Sequence, residues 1–137
     1  MNPPSVFDRF DPPPVAVLLG WRLLEADPDQ QTVKVAFLGR PEFCNPAGFI
    51  QGGMLAAMLG PAVLVASKGA LFTSTITLNV NYLAPARPGE ITGHGKVLLL
   101  GKTVAFMEAK LVDTEGTVLA TATASARCVS TDRLPAA

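Results

Sequence analysis

The sequence predicts an α+β domain in which one apolar helix is enclosed by an antiparallel sheet. Three observations predict it. Residues 52–67 form the one long helical stretch, and Met, Leu and Ala fill every face of it. A helix that is apolar all round has to be covered. Residues 75–82 and 117–129 alternate apolar and polar side chains, the period-two pattern of half-buried strands. Finally, 137 residues amount to a single domain, so a sheet is the only cover within the chain.

The elements follow in order. Residues 1–14 hold five of the twelve prolines and read as an extended arm. A short helical turn at 14–19 ends at Gly20. Residues 21–26 and 32–38 are strand-like, and "DPDQ" between them signals a hairpin turn. Residues 40–50 read as a loop with Pro41, Pro46 and Gly48. The helix at 52–67 contains Gly60-Pro61, where a kink or break is expected because Pro61 lacks an N–H and would clash with the Ala57 carbonyl. A strand at 75–82 ends in "APARPG". Strands at 91–100 and 103–112 join tightly at Gly101-Lys102. "DTEG" then turns into the strand at 117–129, giving a meander of about four strands after the helix. The expected layout is an arm at 1–14, one domain at 15–130 and a frayed tail at 131–137.

The bulk composition narrows the function. The chain is 49% hydrophobic and 16% charged, with a mean hydropathy of +0.35. Such a surface predicts burial against another subunit. Eleven basic residues balance eleven acidic ones, which argues against nucleic-acid and polybasic membrane partners. No apolar run is long enough to span a bilayer, and the N-terminal residues lack the pattern of a secretory signal. Cys44 and Cys128 have no paired spacing and suit a reducing compartment. These features predict a cytoplasmic oligomer.

The chemistry-bearing stretch is "NPAGFIQGGMLAAMLGPAVLVASKG", residues 45–69. A polar loop passes a Gly-Gly pair into the apolar helix. From Phe43 to Gly89 there is no Asp, Glu or His. The Gly52 and Gly53 amides would open the helix as free donors at its positive end, and glycine would let a ligand approach the backbone closely. His94, the sole histidine, lies in "TGHG" with no acid or nucleophile spaced to serve it, so it reads as a surface or interface residue. Cys44 lacks a partner histidine and reads as a structural thiol. Lys68, Arg87, Lys102 and Arg127 read as solvated charges that could reach phosphates. Zinc-ligand, Walker-type and dinucleotide fingerprints are absent.

Three segments carry a resemblance: "NPAGFIQGGMLAAML" at 45–59, "TLNVNYLAPARPG" at 77–89 and "GKTVAFMEAKLVDTEGTVLATATASAR" at 101–127. In order and separation they resemble the hot-dog-fold acyl-CoA thioesterases of the phenylacetate-degradation (PaaI-like) type. The resemblance implies the hot-dog fold, a central helix wrapped by an antiparallel sheet. It implies a homodimer or a dimer of dimers with sites at the interface. It implies an acyl-CoA substrate, with coenzyme A as part of the substrate and no separate cofactor or metal.

The resemblance also implies roles. Gly52 and Gly53 would polarise the thioester carbonyl and stabilise an oxyanion. Asn45 and Gln51 match loop positions that orient the carbonyl or a water. Thr75 matches a Ser/Thr position that holds the hydrolytic water. Gly60 lines the substrate site where the family carries an Asp or Glu, eight residues after the first glycine. Two alignments explain the missing acid: a replacement at Gly60, or loss of about one helical turn before "GPAVLVA". Glu42 and Glu90 lie outside the helix and the following strand, while Glu108 is mid-strand and could in principle point inward. The expected function is acyl-CoA hydrolysis of a small or medium acyl or aryl-acyl group, at a reduced rate. The alternative is an acyl-CoA-binding protein that has lost hydrolysis.

Overall fold

A computed structural model describes residues 13–63 and 71–130 of the chain. The expected arm and tail lie almost wholly outside those residues, as does the end of the expected helix at 64–67. A one-turn helix, α1 (Pro14–Leu18), starts the described chain. The strands are β1 (Arg22–Asp27), β2 (Thr32–Gly39), β3 (Leu71–Tyr82), β4 (Gly89–Leu100), β5 (Val104–Val112) and β6 (Val118–Ser130). Helix α2 (Gly52–Val63) stands between β2 and β3. The strands form one antiparallel sheet in the order β1-β2-β4-β5-β6-β3.

Two of the hairpins use the same local device. Asp27 Oδ1 accepts the amides of Asp29 and Gln30 at 3.0 and 3.1 Å. Asp113 Oδ1 accepts those of Glu115 and Thr117, both at 2.9 Å. In each case a short carboxylate replaces missing backbone partners and fixes the turn. These turns set the β1–β2 and β5–β6 registers.

The core lies between the sheet and α2. Leu55, Met58 and Leu59 of α2 are buried against Val35, Phe37, Ile91, Met107 and Leu111. Ala120, Ala122, Ala124 and Ala126 line β6 on the same side, where small side chains permit close approach. The helix is not enclosed all round within one chain. Gly53 is exposed, and Met54, Ala56, Ala57 and Gly60 are half-buried. A single six-stranded sheet covers one face of a helix and leaves the other face open.

Two expectations are corrected. Of the kink or break expected at Gly60-Pro61, the break is overturned: the helix continues to Val63. Proline deprives the helix of only one backbone bond, and the buried row before it anchors the helix to the sheet. The strands after α2 are also not a simple meander. Strand β3 pairs with β6 at the far edge, and β4 pairs with β2. Strands β3 and β4 are therefore three inter-strand steps apart, about 14 Å. Residues 83–88, extended, span up to about 20 Å and can cross that gap. Leu83 and Ala84 begin the crossing by donating to the Leu119 carbonyl at 2.9 and 3.2 Å.

Candidate active site

The loop before α2 is closed on itself and pinned to the core. Pro41–Phe43 form a single 3₁₀ turn. Cys44 and Ile50 then pair as an isolated antiparallel bridge. The Gln51 amide donates to the Phe43 carbonyl at 2.8 Å, and the Ile50 amide to the Ala86 carbonyl at 2.8 Å. Phe43 and Ile50 are both buried, so the loop is held at two points by apolar anchors. Inside it, Asn45 donates its amide to the Phe49 carbonyl at 2.7 Å. Its Oδ1 accepts the amides of Ala47 and Phe49 at 3.0 and 3.2 Å. Gly48 takes the left-handed φ of +87° that this turn needs. The Arg87 guanidinium lies over the Phe49 ring, 5.5 Å from its centroid.

Gln51 occupies the N-cap position. Its carbonyl accepts the amides of Met54 and Leu55 at 2.9 and 3.2 Å, the first bonds of α2. The Gly52 and Gly53 amides precede those bonds in the first turn, directly after the loop that holds Asn45 and the exposed Gln51. A Cβ added at Gly53 would meet nothing within 4 Å. A Cβ at Gly52 would come within 3.1–3.3 Å of the Tyr82 side chain. The Tyr82 hydroxyl donates to the Gly52 carbonyl at 2.7 Å. Sequence reading overlooked Tyr82. No local pattern signals that contact, which joins residues thirty positions apart.

The structure brings Asn45, Gln51, Gly52 and Gly53 together at one end of α2, but not Gly60 or Thr75. Gly60 is eight residues along the helix, about 12 Å from Gly52. Thr75 is seven residues from Tyr82 along β3, about 20 Å. Tyr82 marks the end of β3 that meets the start of α2, so both Gly60 and Thr75 stand well away from that meeting point. Thr75 pairs with Ala126, a buried residue, and so shares the helix side of the sheet. Ile76 is the extra residue of a bulge between Thr75 and Thr77. At Gly60 a Cβ would meet none of the described residues within 4 Å.

No acid is supplied from elsewhere in the described chain. Glu108 does not point inward: it is exposed on the outer sheet face, between buried Met107 and Ala109, and lies opposite Lys96 and Thr123. There it lines a depression of about 430 Å³ with His94, Lys96, Lys110, Asn81 and Thr121, on the side of the sheet away from α2. Glu90 pairs with Arg22 at 3.0 Å, and Glu42 is exposed in the 3₁₀ turn. Among the described residues, no group of three or more His, Cys, Asp and Glu side chains could hold a metal ion. No described helix is long and apolar enough to cross a membrane.

Comparison with known proteins agrees with this fold. The sequence model of the thioesterase superfamily matches residues 47–120, which run from within the loop through α2, β3, β4 and β5 to the start of β6. The chain is 26% identical over 115 residues to a Saccharolobus solfataricus protein with an inferred esterase assignment, covering 82% of this chain and 79% of that one. Its fold superposes with a TM-score of 0.76 on a phenylacetic-acid-degradation-related protein of Ralstonia eutropha JMP134, itself assigned as a thioesterase by inference. That pair is 30% identical over 85% of this chain and 92% of the other. The PaaI protein of the E. coli phenylacetic acid degradation operon shares the fold with a TM-score of 0.76, at 19% identity over 84% and 83% of the two chains. The chain belongs to the thioesterase superfamily, as a hot-dog-fold member of PaaI-like type.

Proposed function

We propose that the protein hydrolyses the thioester of a small or medium acyl- or aryl-acyl-coenzyme A, slowly for its family. The observation that supports this most is the pair of amides at Gly52 and Gly53, which open a helix directly after a pinned polar loop. Water adds to the thioester carbonyl carbon, and the carbonyl oxygen becomes an oxyanion. The two amides at the helix's positive end stabilise that charge. Collapse breaks the carbon–sulfur bond, releasing the acid and the coenzyme A thiol. Asn45 and Gln51 orient the carbonyl or the water. Coenzyme A enters as substrate, and the chemistry requires no further cofactor.

The unit of function in this reading is a homodimer, alone or doubled into a tetramer. Strand β3 is an edge strand, and Ile76, Tyr82 and Leu83 are exposed along and just past it. Antiparallel pairing of two β3 edges about an axis near residues 78 and 79 would bring the partner subunit's Thr75 beside Tyr82. Such a pairing would close the gap of about 20 Å that one chain leaves open. The open half of α2 would be covered at the same time. Gly60 of the second copy would then face the substrate from the position where related enzymes carry an acid. Free Cys44 and Cys128 suit the reducing conditions of the cytoplasm.

A second reading, binding without turnover, is favoured by one observation. Between Phe43 and Gly89 there is no carboxylate, and Glu108 faces the wrong side of the sheet. A positioned base contributes roughly two to four powers of ten in rate. Thiol release across a series of acyl-coenzymes A, beside calorimetric titration with a non-hydrolysable thioether analogue, separates the readings. Turnover above the buffer rate that falls in Gly53→Ala and Thr75→Ala supports hydrolysis at this site. Binding with no turnover supports the second reading, and turnover that survives both substitutions overturns the site.

A further inference from the structure

Tyr82 is the residue that the sequence did not single out and the geometry does. Its hydroxyl reaches the Gly52 carbonyl at 2.7 Å. Its ring lies so close to the Gly52 Cα that an added Cβ would stand 3.1 Å from Cζ and 3.3 Å from Cε1 and Oη. The residue is 52% exposed, so core burial does not account for this contact. Its backbone is fixed by pairing with Ala120, and the next two amides bond to the Leu119 carbonyl. The tyrosine is thus mounted on the end of a rigid strand and aimed at one peptide unit.

That peptide unit is the link to chemistry. The Gly52 carbonyl and the Gly53 N–H are the two ends of one planar amide. Holding the oxygen therefore fixes the direction of the hydrogen. A carbonyl has two acceptor sites, so Tyr82 can bond here while the helix uses the other. Accepting a hydrogen bond at oxygen also polarises the amide and strengthens its N–H as a donor. We infer that Tyr82 is a positioning residue, acting through the Gly52–Gly53 peptide to aim and strengthen the amide that receives the thioester oxygen. This inference rests on the reading of the helix start proposed above.

It also divides the labour of the two glycines. At Gly52 a side chain would crowd the Tyr82 ring. Gly53, where an added Cβ meets no described neighbour within 4 Å, is the one that admits substrate. Crowding at Gly52 and access at Gly53 are separable properties, and only the second concerns the ligand directly.

The test compares wild type, Tyr82→Phe and Gly52→Ala as full chains, with benzoyl- and hexanoyl-coenzyme A as substrates. Tyr82→Phe keeps the ring and removes the hydroxyl. It is expected to lower kcat about three- to tenfold, the value of one net hydrogen bond, while KM stays within about twofold. The carbonyl stretch of a bound, ¹³C-labelled ketone analogue of the thioester is expected to move to higher wavenumber in Tyr82→Phe, and this readout does not require turnover. Gly52→Ala is expected to lower the melting temperature in wild type and to be tolerated in a Tyr82→Ala background, as coupled contacts require. An unchanged kcat and carbonyl stretch in Tyr82→Phe, with wild type turning over or binding normally, overturns the role of Tyr82 alone. Wild type that neither binds the analogue nor hydrolyses either thioester overturns the proposed function and this inference with it.

Discussion

The Asn45 side-chain oxygen accepts the Phe49 amide at 3.2 Å, while the Phe49 carbonyl accepts the Asn45 amide at 2.7 Å. The two residues close the loop on themselves before it reaches α2. Because Oδ1 is committed to Phe49 and Ala47, only the Asn45 side-chain NH₂ is left to face a ligand.

That division predicts a split between stability and activity. Asn45→Asp retains the acceptor and loses the donor. It should fold within about 0.5 kcal/mol of wild type, yet lose thioester turnover by roughly tenfold or more. Asn45→Ala loses both, and should cost about 1 kcal/mol of stability in addition. Urea melts and thiol-release kinetics on the same preparations check both statements. Equal activity in Asn45→Asp and wild type would remove the NH₂ from the mechanism.

A second prediction concerns the missing acid. A side chain at Gly60 would meet no described neighbour within 4 Å, so Gly60→Asp should fold. With the helix in the family's register, the new carboxylate can act as a base, and hydrolysis should rise by roughly a hundredfold. Should one helical turn be lost instead, the aspartate would be misplaced. Gly60→Asp would then do little, and insertion of a four-residue acidic turn would be required. Thiol-release rates of the two variants decide between replacement and deletion.

Much of the architecture was legible because periodicity reports faces. Alternation in 117–129 assigned Ala120, Ala122, Ala124 and Ala126 to the core, and they are buried. In 105–111 the sequence leaves Glu108 open to either face, and the burial of Met107 and Ala109 on each side of it sends it outward. Periodicity does not report neighbours. Nothing in residues 75–82 says that β3 pairs with β6 rather than β4, because that choice is made by the crossing at 83–88. Pro61 misled for a related reason: a local rule against proline gave way to the burial of Leu55, Met58 and Leu59. Within the site, the loop and the glycines stood out as sequence. The contact of Tyr82 with Gly52 joins residues thirty positions apart, and no local pattern encodes it.

A third prediction uses His94. Its pKa is held below the usual value, first by burial and then by Lys110 and Lys34, which lie directly opposite it on β5 and β2. Glu25 pulls the other way, and Lys96 and Glu108 line the same depression. The unfolded chain, with a pKa near 6.5, therefore binds this proton more readily than the folded one. Stability from this source is fully present above about pH 6.5 and is lost as pH falls through the lower, folded-state value. His94→Gln should flatten the stability profile below about pH 6.5 while leaving it unchanged at pH 8. Urea midpoints measured across that range check it, and parallel profiles would refute it.

The last prediction sets stability against function at Gly53. Glycine inside a helix costs roughly 0.5–1 kcal/mol relative to alanine. No described neighbour within 4 Å would obstruct the methyl group. On folding alone, Gly53→Ala should therefore raise the urea midpoint. Yet its methyl would stand beside the amide where the thioester carbonyl is proposed to dock, and would hold the acyl group off the helix end. Turnover of acyl-coenzyme A should fall by at least tenfold, a loss of about 1.4 kcal/mol in transition-state binding. A more stable and less active variant is the signature of a glycine kept for access to the backbone. A variant that is both more stable and fully active would show that the substrate does not approach this face of α2.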